Sequence, residues 1–163
     1  MSGRPIGSRG FFFARHSQSE YEPSCPQNTS LLWTGYSLLH ITGNDHSYGQ
    51  DLGQAGSCMR LFSSMPFTTC SYDDTCKYAE QNDWSYWLKT SKERPTSQRP
   101  INVNDVKPYI SRCAVCESET RVVAIHSQTI VAPDCPTNWI SLWEGYSFLM
   151  VIIKYYSSFD DSY

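Results

Sequence analysis

The sequence has no run of about 18 apolar residues, the length a bilayer-spanning helix requires. Its most apolar stretch near the end, Phe148 to Ile153, is far shorter than that. Charge of one sign is also missing: 13 basic residues face 16 acidic ones, for a net charge of −3, and the basic ones form no stripe. That balance gives no electrostatic footprint for nucleic acid. No Gly-rich phosphate or dinucleotide motif occurs. There is no G-x-S-x-G elbow, so Ser17 beside His16 carries no implication of nucleophilic catalysis. The pairs Asp73-Asp74 and Asp160-Asp161 lack an EF-hand surround and read as solvated turn residues. No 3.6-residue amphipathic period persists long enough for a major helix. The N-terminal MSGRPIGSRG lacks the apolar core of a signal peptide, so we expect a piece of a longer secreted chain.

What is present is a repeat. His16 to Leu39 returns at His126 to Leu149, displaced by 110 residues without a gap, and 13 of the 24 positions agree. The agreements include His, Cys, Trp, Gly and two prolines. The chain therefore holds one copy of a unit of about 110 residues and the opening of a second. Aromatic content of 14%, with nine Gly and nine Pro, favours short strands and turns over long helices.

Seven cysteines stand at 25, 58, 70, 76, 113, 116 and 135. Six fall in the first unit, and Cys135 repeats Cys25. An even set per unit reads as a disulfide framework and an oxidising compartment. A zinc site built on Cys113 and Cys116 would need a second CxxC or a spaced His pair, and neither occurs. Six cysteines permit about fifteen pairings, and spacing alone does not choose among them.

Along the chain, Phe11 to Phe13, Leu31 to Ile41 and Trp84 to Leu88 read as strands. Thr68 to Cys70 and Cys76 to Tyr78 flank a turn-rich tip suited to a hairpin. Residues 89 to 105 form a polar connection, and Arg121 to Ile125 is expected to be the strand that opens the second unit. His16 and His126 share an HSQ triplet with no recurring acidic partner or nucleophile, which favours a hydrogen-bonded structural role. The Trp-x-Gly-Tyr-Ser patterns at 33 to 37 and 143 to 147 read as core and turn. Asn28-Thr29-Ser30 is an N-glycosylation acceptor, conditional on secretion.

Several motifs in fixed order resemble one family. They include Arg15-His16-Ser17-Gln18, Gly35-Tyr36-Ser37-Leu38-Leu39, Gly49-Gln50-Asp51-Leu52-Gly53 and Ala55-Gly56-Ser57-Cys58. Met65-Pro66-Phe67, Asn82 to Leu88 and Tyr109 to Cys116 complete the set. Together they resemble the C-terminal non-collagenous domain of type IV collagen, from about Phe11 to Met150, with all seven cysteines included. The resemblance implies an all-β fold of two disulfide-stapled, tandemly duplicated subdomains whose hairpins exchange between chains. It implies pairs Cys25–Cys116, Cys58–Cys113 and Cys70–Cys76, with Cys135 unpaired because its counterpart of Cys116 would fall near 226. On this basis residues 1–10 are a linker or the end of a collagenous region, and 11–120 the first subdomain. Residues 121–150 start the second subdomain, and 151–163 form a divergent tail.

The implied function is structural: an extracellular, basement-membrane constituent, with no catalysis and no cofactor. Its partners would be other type IV collagen chains, first in a trimer and then in a trimer–trimer hexamer, with no nucleic acid and no membrane span. Phe67 would anchor the exchanged arm. Two departures touch the trimer–trimer face. Gln81, close to Asp83, stands where the family has an Arg tied to chloride, which makes a chloride site there doubtful. Gln98 replaces the Met that joins opposed trimers through a sulfilimine bond. The competing expectation is a secreted soluble matrix fragment that acts as a receptor- or matrix-binding module. The apolar residues Trp139, Leu142, Trp143, Tyr146, Phe148 and Leu149 are expected to lack their packing partners, leaving the chain from about 126 onward poorly anchored.

Overall fold

Aromatic and aliphatic runs bounded by turn residues become eight strands in the computed structural model, which describes residues 10–43, 46–49, 51–80, 82–93 and 100–148. They are β1 (Phe11–His16), β2 (Thr29–Gly43), β3 (His46–Gly49) and β4 (Cys58–Met59), then β5 (Thr69–Cys70), β6 (Cys76–Lys77), β7 (Trp84–Trp87) and β8 (Arg112–Ser118). All pairings are antiparallel. The main sheet runs β1-β8-β2-β3, with β4 and β7 also paired to β2, while β5 and β6 form a small sheet of their own. The last strand of the unit thus lies between the first two.

β2 can serve four partners because it is 15 residues long and twice shifts register, between Leu31 and Trp33 and between Leu38 and His40. Such irregularities bend and twist a strand, so its two halves face different neighbours. The first half pairs with β8 and the second with β7 and β3.

β8 forms the centre of the core. Cys113, Ala114, Val115 and Cys116 are all fully buried. Strand periodicity sends alternate residues to opposite faces. Cys113 and Val115 pack with Ala14 and Cys58, and Trp33 and Ala55 close around them. Ala114 and Cys116 pack with Phe13, flanked by Cys25, Val122 and Leu142. A strand covered on both faces needs a continuous run of small and apolar residues, and Cys-Ala-Val-Cys supplies it.

Two glycines permit close approaches. A Cβ on Gly35 would lie 2.1 Å from the backbone oxygen of Met59, where β4 crosses β2. One on Gly43 would lie 2.4 Å from the Phe67 ring, which occupies that space instead. The ring of Phe62 packs 5.8 Å from Tyr36 and 4.9 Å from Trp87, and so ties the segment after β4 to β2 and β7.

The polar connection contains one short helix, α1 (Val103–Val106), capped by the Asn102 side chain, which accepts from the Asn104 amide at 3.0 Å. The expected strand at Arg121–Ile125 does not form, and residues 121–148 contain no strand among those described. The physical reason lies in the first copy. β1, the counterpart of 121–126, is a strand because β8 completes its hydrogen-bond ladder. No such neighbour stands beside 121–126 among the described residues. The proposed tail, 151–163, and Leu149 lie outside the described residues.

Candidate functional site

Three disulfides join Cys25 to Cys116, Cys58 to Cys113 and Cys70 to Cys76, closing spans of 91, 55 and 6 residues. The first two reach β8 from opposite faces. Cys25, in the loop between β1 and β2, covers one face, and Cys58, at the start of β4, covers the other. Cys135 is free and exposed.

Beside the Cys58 staple lies a polar cluster that joins four parts of the chain. His16 Nδ1 is 2.7 Å from Ser37 Oγ, and its Nε2 is 2.9 Å from Ser57 Oγ. Ser57 Oγ donates to the Gln54 carbonyl at 2.7 Å, which leaves its lone pairs to accept from the ring. Ser111 Oγ lies 3.2 Å from Ser37 Oγ and accepts the Gln18 amide at 3.0 Å. Burial pushes the His16 imidazole down to about 4, because the site cannot solvate a charge. Ser37, Ser57 and Ser111 are fully buried and His16 is half-buried, and the cluster fastens β1, β2, the turn before β4 and the start of β8. The triplet His16-Ser17-Gln18 marked the histidine. Ser57 and Ser111 stand in the family-like motifs at 55–58 and 109–116, but only folding shows that they meet around His16.

Arg112 holds the same region from outside. Its Nε donates to the Gly35 carbonyl at 2.8 Å, its guanidinium lies 4.4 Å from the Tyr36 ring centre, and its NH2 pairs with Glu22.

The β5–β6 hairpin stands apart from the main sheet, and all four of its strand residues are exposed. Its tip is built by local polar contacts. The Ser71 amide donates to the Thr75 carbonyl at 2.9 Å, Asp73 accepts from the Ser71 hydroxyl, and Asp74 takes a left-handed φ of 62°. Lys77 pairs with Glu80 at 3.0 Å just beyond it. At the arm's base, Phe67 rests on Gly43, within an apolar recess that also includes Met59, Leu61, Met65 and Pro66. Asp83 Oδ2 accepts the Glu80 amide at 2.7 Å and so closes the turn leading into β7. Gln81 and Gln98 lie outside the described residues.

Asn28 is exposed, in a turn where the Thr29 amide donates to the Pro26 carbonyl at 3.2 Å. Its φ of 61° points the chain back into β2. Of the apolar set in the second copy, Leu142 packs on the core, and Trp143 stacks on Phe13 at 5.3 Å with Arg15 over its ring. Trp139, Tyr146 and Phe148 remain exposed. The expectation of poor anchoring from 126 onward is therefore corrected in part: Leu142 and Trp143 tie this segment to the first unit. No helix among the described residues is long and apolar enough to cross a membrane, and no cluster of metal-ligating side chains occurs among them.

The first unit is a disulfide-stapled β module with a buried cysteine strand and a hairpin outside its main sheet, and the sequence of its opening recurs 110 residues on. The sequence matches the family described as the C-terminal tandem repeated domain in type 4 procollagen, over residues 11–118 and again over 121–161. The chain belongs to that family. It is similar to the human collagen alpha-5(IV) chain, with 51% identity over 143 residues, or 88% of this chain. It spans about 8% of the length of that relative.

Proposed function

We propose that this chain is the C-terminal assembly domain of a basement-membrane collagen, which aligns three chains as a trimer and then joins trimers head to head. The observation that carries the reading is the β5–β6 arm. It is closed by its own disulfide, it is exposed along its length, and it lies outside the main sheet. A short exposed strand pair is a ready template for pairing with another chain. Exchange of such an element is a low-cost route to an oligomer.

Membership of a structural collagen family supports a non-catalytic role. Three disulfides fit secretion into an oxidising space, here the basement membrane.

Sedimentation of a version carrying both repeats in full tests the proposal. It should run as a trimer, and Phe67→Asp should weaken assembly. Hydrogen exchange at β8 serves as the folding control and should change little. Unchanged trimers for Phe67→Asp, with folding intact, would show the arm to be misassigned.

A further inference from the structure

We infer that Asn28 carries an N-linked oligosaccharide, placed at the end of the sheet remote from the β5–β6 arm. The inference rests on the secretion contained in the assembly reading and adds a modification to it.

An acceptor needs an asparagine, then any residue but proline, then a serine or threonine. Asn28-Thr29-Ser30 is the one such triplet in the sequence. The local turn explains its asparagine without any sugar. The Thr29 amide donates to the Pro26 carbonyl at 3.2 Å, and Thr29 Oγ1 donates to the same oxygen at 2.7 Å. Asn28 takes the left-handed place in that turn, with φ of 61°, which asparagine tolerates better than most residues. The second copy shows that the turn needs no hydroxyl two residues on. There Asn138 has φ of 68° and the Trp139 amide donates to the Pro136 carbonyl at 3.0 Å. Yet the residue at the place of Ser30 is Ile140. The Ser30 hydroxyl is therefore the element that turn geometry leaves unexplained, and it completes the acceptor.

Both groups are also available. Asn28 and Ser30 are exposed, and neither side chain takes part in a hydrogen bond among the described residues. Asn102, by contrast, commits its carboxamide oxygen to the Asn104 amide at 3.0 Å. Asn28 stands at the rim of a shallow groove of about 160 Å³ that Ile140 and Leu142 also line, so a first sugar has space beside it.

Its place in the fold leaves the arm open for assembly. Phe11 and Thr29 both register with Ser118, so Asn28 lies at the end of the sheet where β1 begins. The arm's base, where Phe67 rests on Gly43, is at the opposite end of the 15-residue β2. A strand rises about 3.3 Å per residue, which separates the two ends by up to about 45 Å. A bulky, hydrated glycan at Asn28 keeps its own end of the sheet in water while the hairpin stays free.

In the transfer step the Asn28 carboxamide nitrogen bonds to the anomeric carbon of a lipid-diphosphate-linked oligosaccharide. The bond from that carbon to the diphosphate oxygen breaks, the lipid diphosphate leaves, and the amide gives up one proton. No oxidation or reduction occurs.

The test expresses the full chain behind a cleavable secretory signal in mammalian cells, read on denaturing gels of lysate and medium alike. Signal cleavage confirms entry into the secretory pathway. Forcing that entry separates this inference from the assembly reading, whose failure shows instead in sedimentation. Peptide-N-glycosidase F should remove one step of apparent mass and convert residue 28 to aspartate, detected by peptide mass mapping. Asn28→Gly, which suits the left-handed turn, and Ser30→Ala should each abolish the step, whereas Ser30→Thr should keep it. A wild-type chain that the glycosidase leaves unshifted would overturn the inference. So would a step that survives Asn28→Gly or Ser30→Ala.

Discussion

Cys113 and Cys116 point to opposite faces of β8, and each is bonded to a different part of the chain. An offset of three residues in a strand reverses the side-chain direction. The CxxC spacing, which in other settings closes on itself or on a metal, here lets one strand staple both layers around it. Removing Cys25–Cys116 by paired Ala substitution should cost about 4 to 5 kcal/mol, and removing Cys58–Cys113 about 4, from the loop entropy released. Thermal unfolding of the variants would check the order, and Cys70–Cys76, which closes only 6 residues, should matter least. A Cys113–Cys116 bridge found by non-reducing peptide mapping would contradict this arrangement.

His16 makes stability depend on pH. Its folded value, about 4, lies below the ordinary histidine value of 6.5, so the folded state favours the neutral ring. The stabilisation is fully present above pH 6.5 and is lost as the pH falls through 4. Protonation leaves both ring nitrogens with serine acceptors, so the penalty comes from burying the charge rather than from breaking hydrogen bonds. Urea unfolding should show a loss of up to about 3 kcal/mol between neutral pH and pH near 4. His16→Gln should flatten that dependence.

The two copies of one glycine should respond differently. Gly35→Ala drives a methyl into the Met59 carbonyl and should destabilise by about 2 kcal/mol or more. Gly145→Ala meets open space and should stay within about 0.5 kcal/mol. Chemical denaturation of both variants decides the matter.

The proposed assembly, read through the family resemblance, assigns Gln98 and Gln81 to the trimer–trimer face; Gln98 has no thioether sulfur for a sulfilimine, and Gln81 has no charge for a salt bridge. Any hexamer should therefore lack the crosslink through 98 and depend less on chloride. Denaturing electrophoresis that revealed a nonreducible dimer joined at 98 would refute this.

Cys135 is exposed and unpaired, near exposed Ile130, Val131 and Trp139. Expressed alone under oxidising conditions, the chain should form thiol-linked dimers, and Cys135→Ser should reduce them. Non-reducing electrophoresis of both proteins provides the check.

Patterning and turn chemistry identified most first-unit elements. The runs around Phe11–Phe13, Leu31–Ile41 and Trp84–Leu88 become β1, β2 and β7, and the flanks of the 71–75 turn become β5 and β6. β3, β4 and β8 were not legible: the two short strands exist because β2 offers them a partner, and β8 exists because β1 and β2 flank it. Arg121–Ile125 shows the converse. Its composition suits a strand, yet a strand requires a neighbour for its backbone, and composition cannot supply one.

The sequence by itself determined the repeat, the six-cysteine framework and the family, because these reside in residue identity and order. It determined also the small local devices, such as the Pro26–Thr29 and Pro136–Trp139 turns, which depend only on neighbours within a few residues. The tertiary structure alone decided that β8 enters between β1 and β2, that Ser57 and Ser111 meet around His16, and that Trp143 docks on Phe13. Those are contacts between residues far apart in the chain. Their energies come from burial and close fit, which no local pattern specifies.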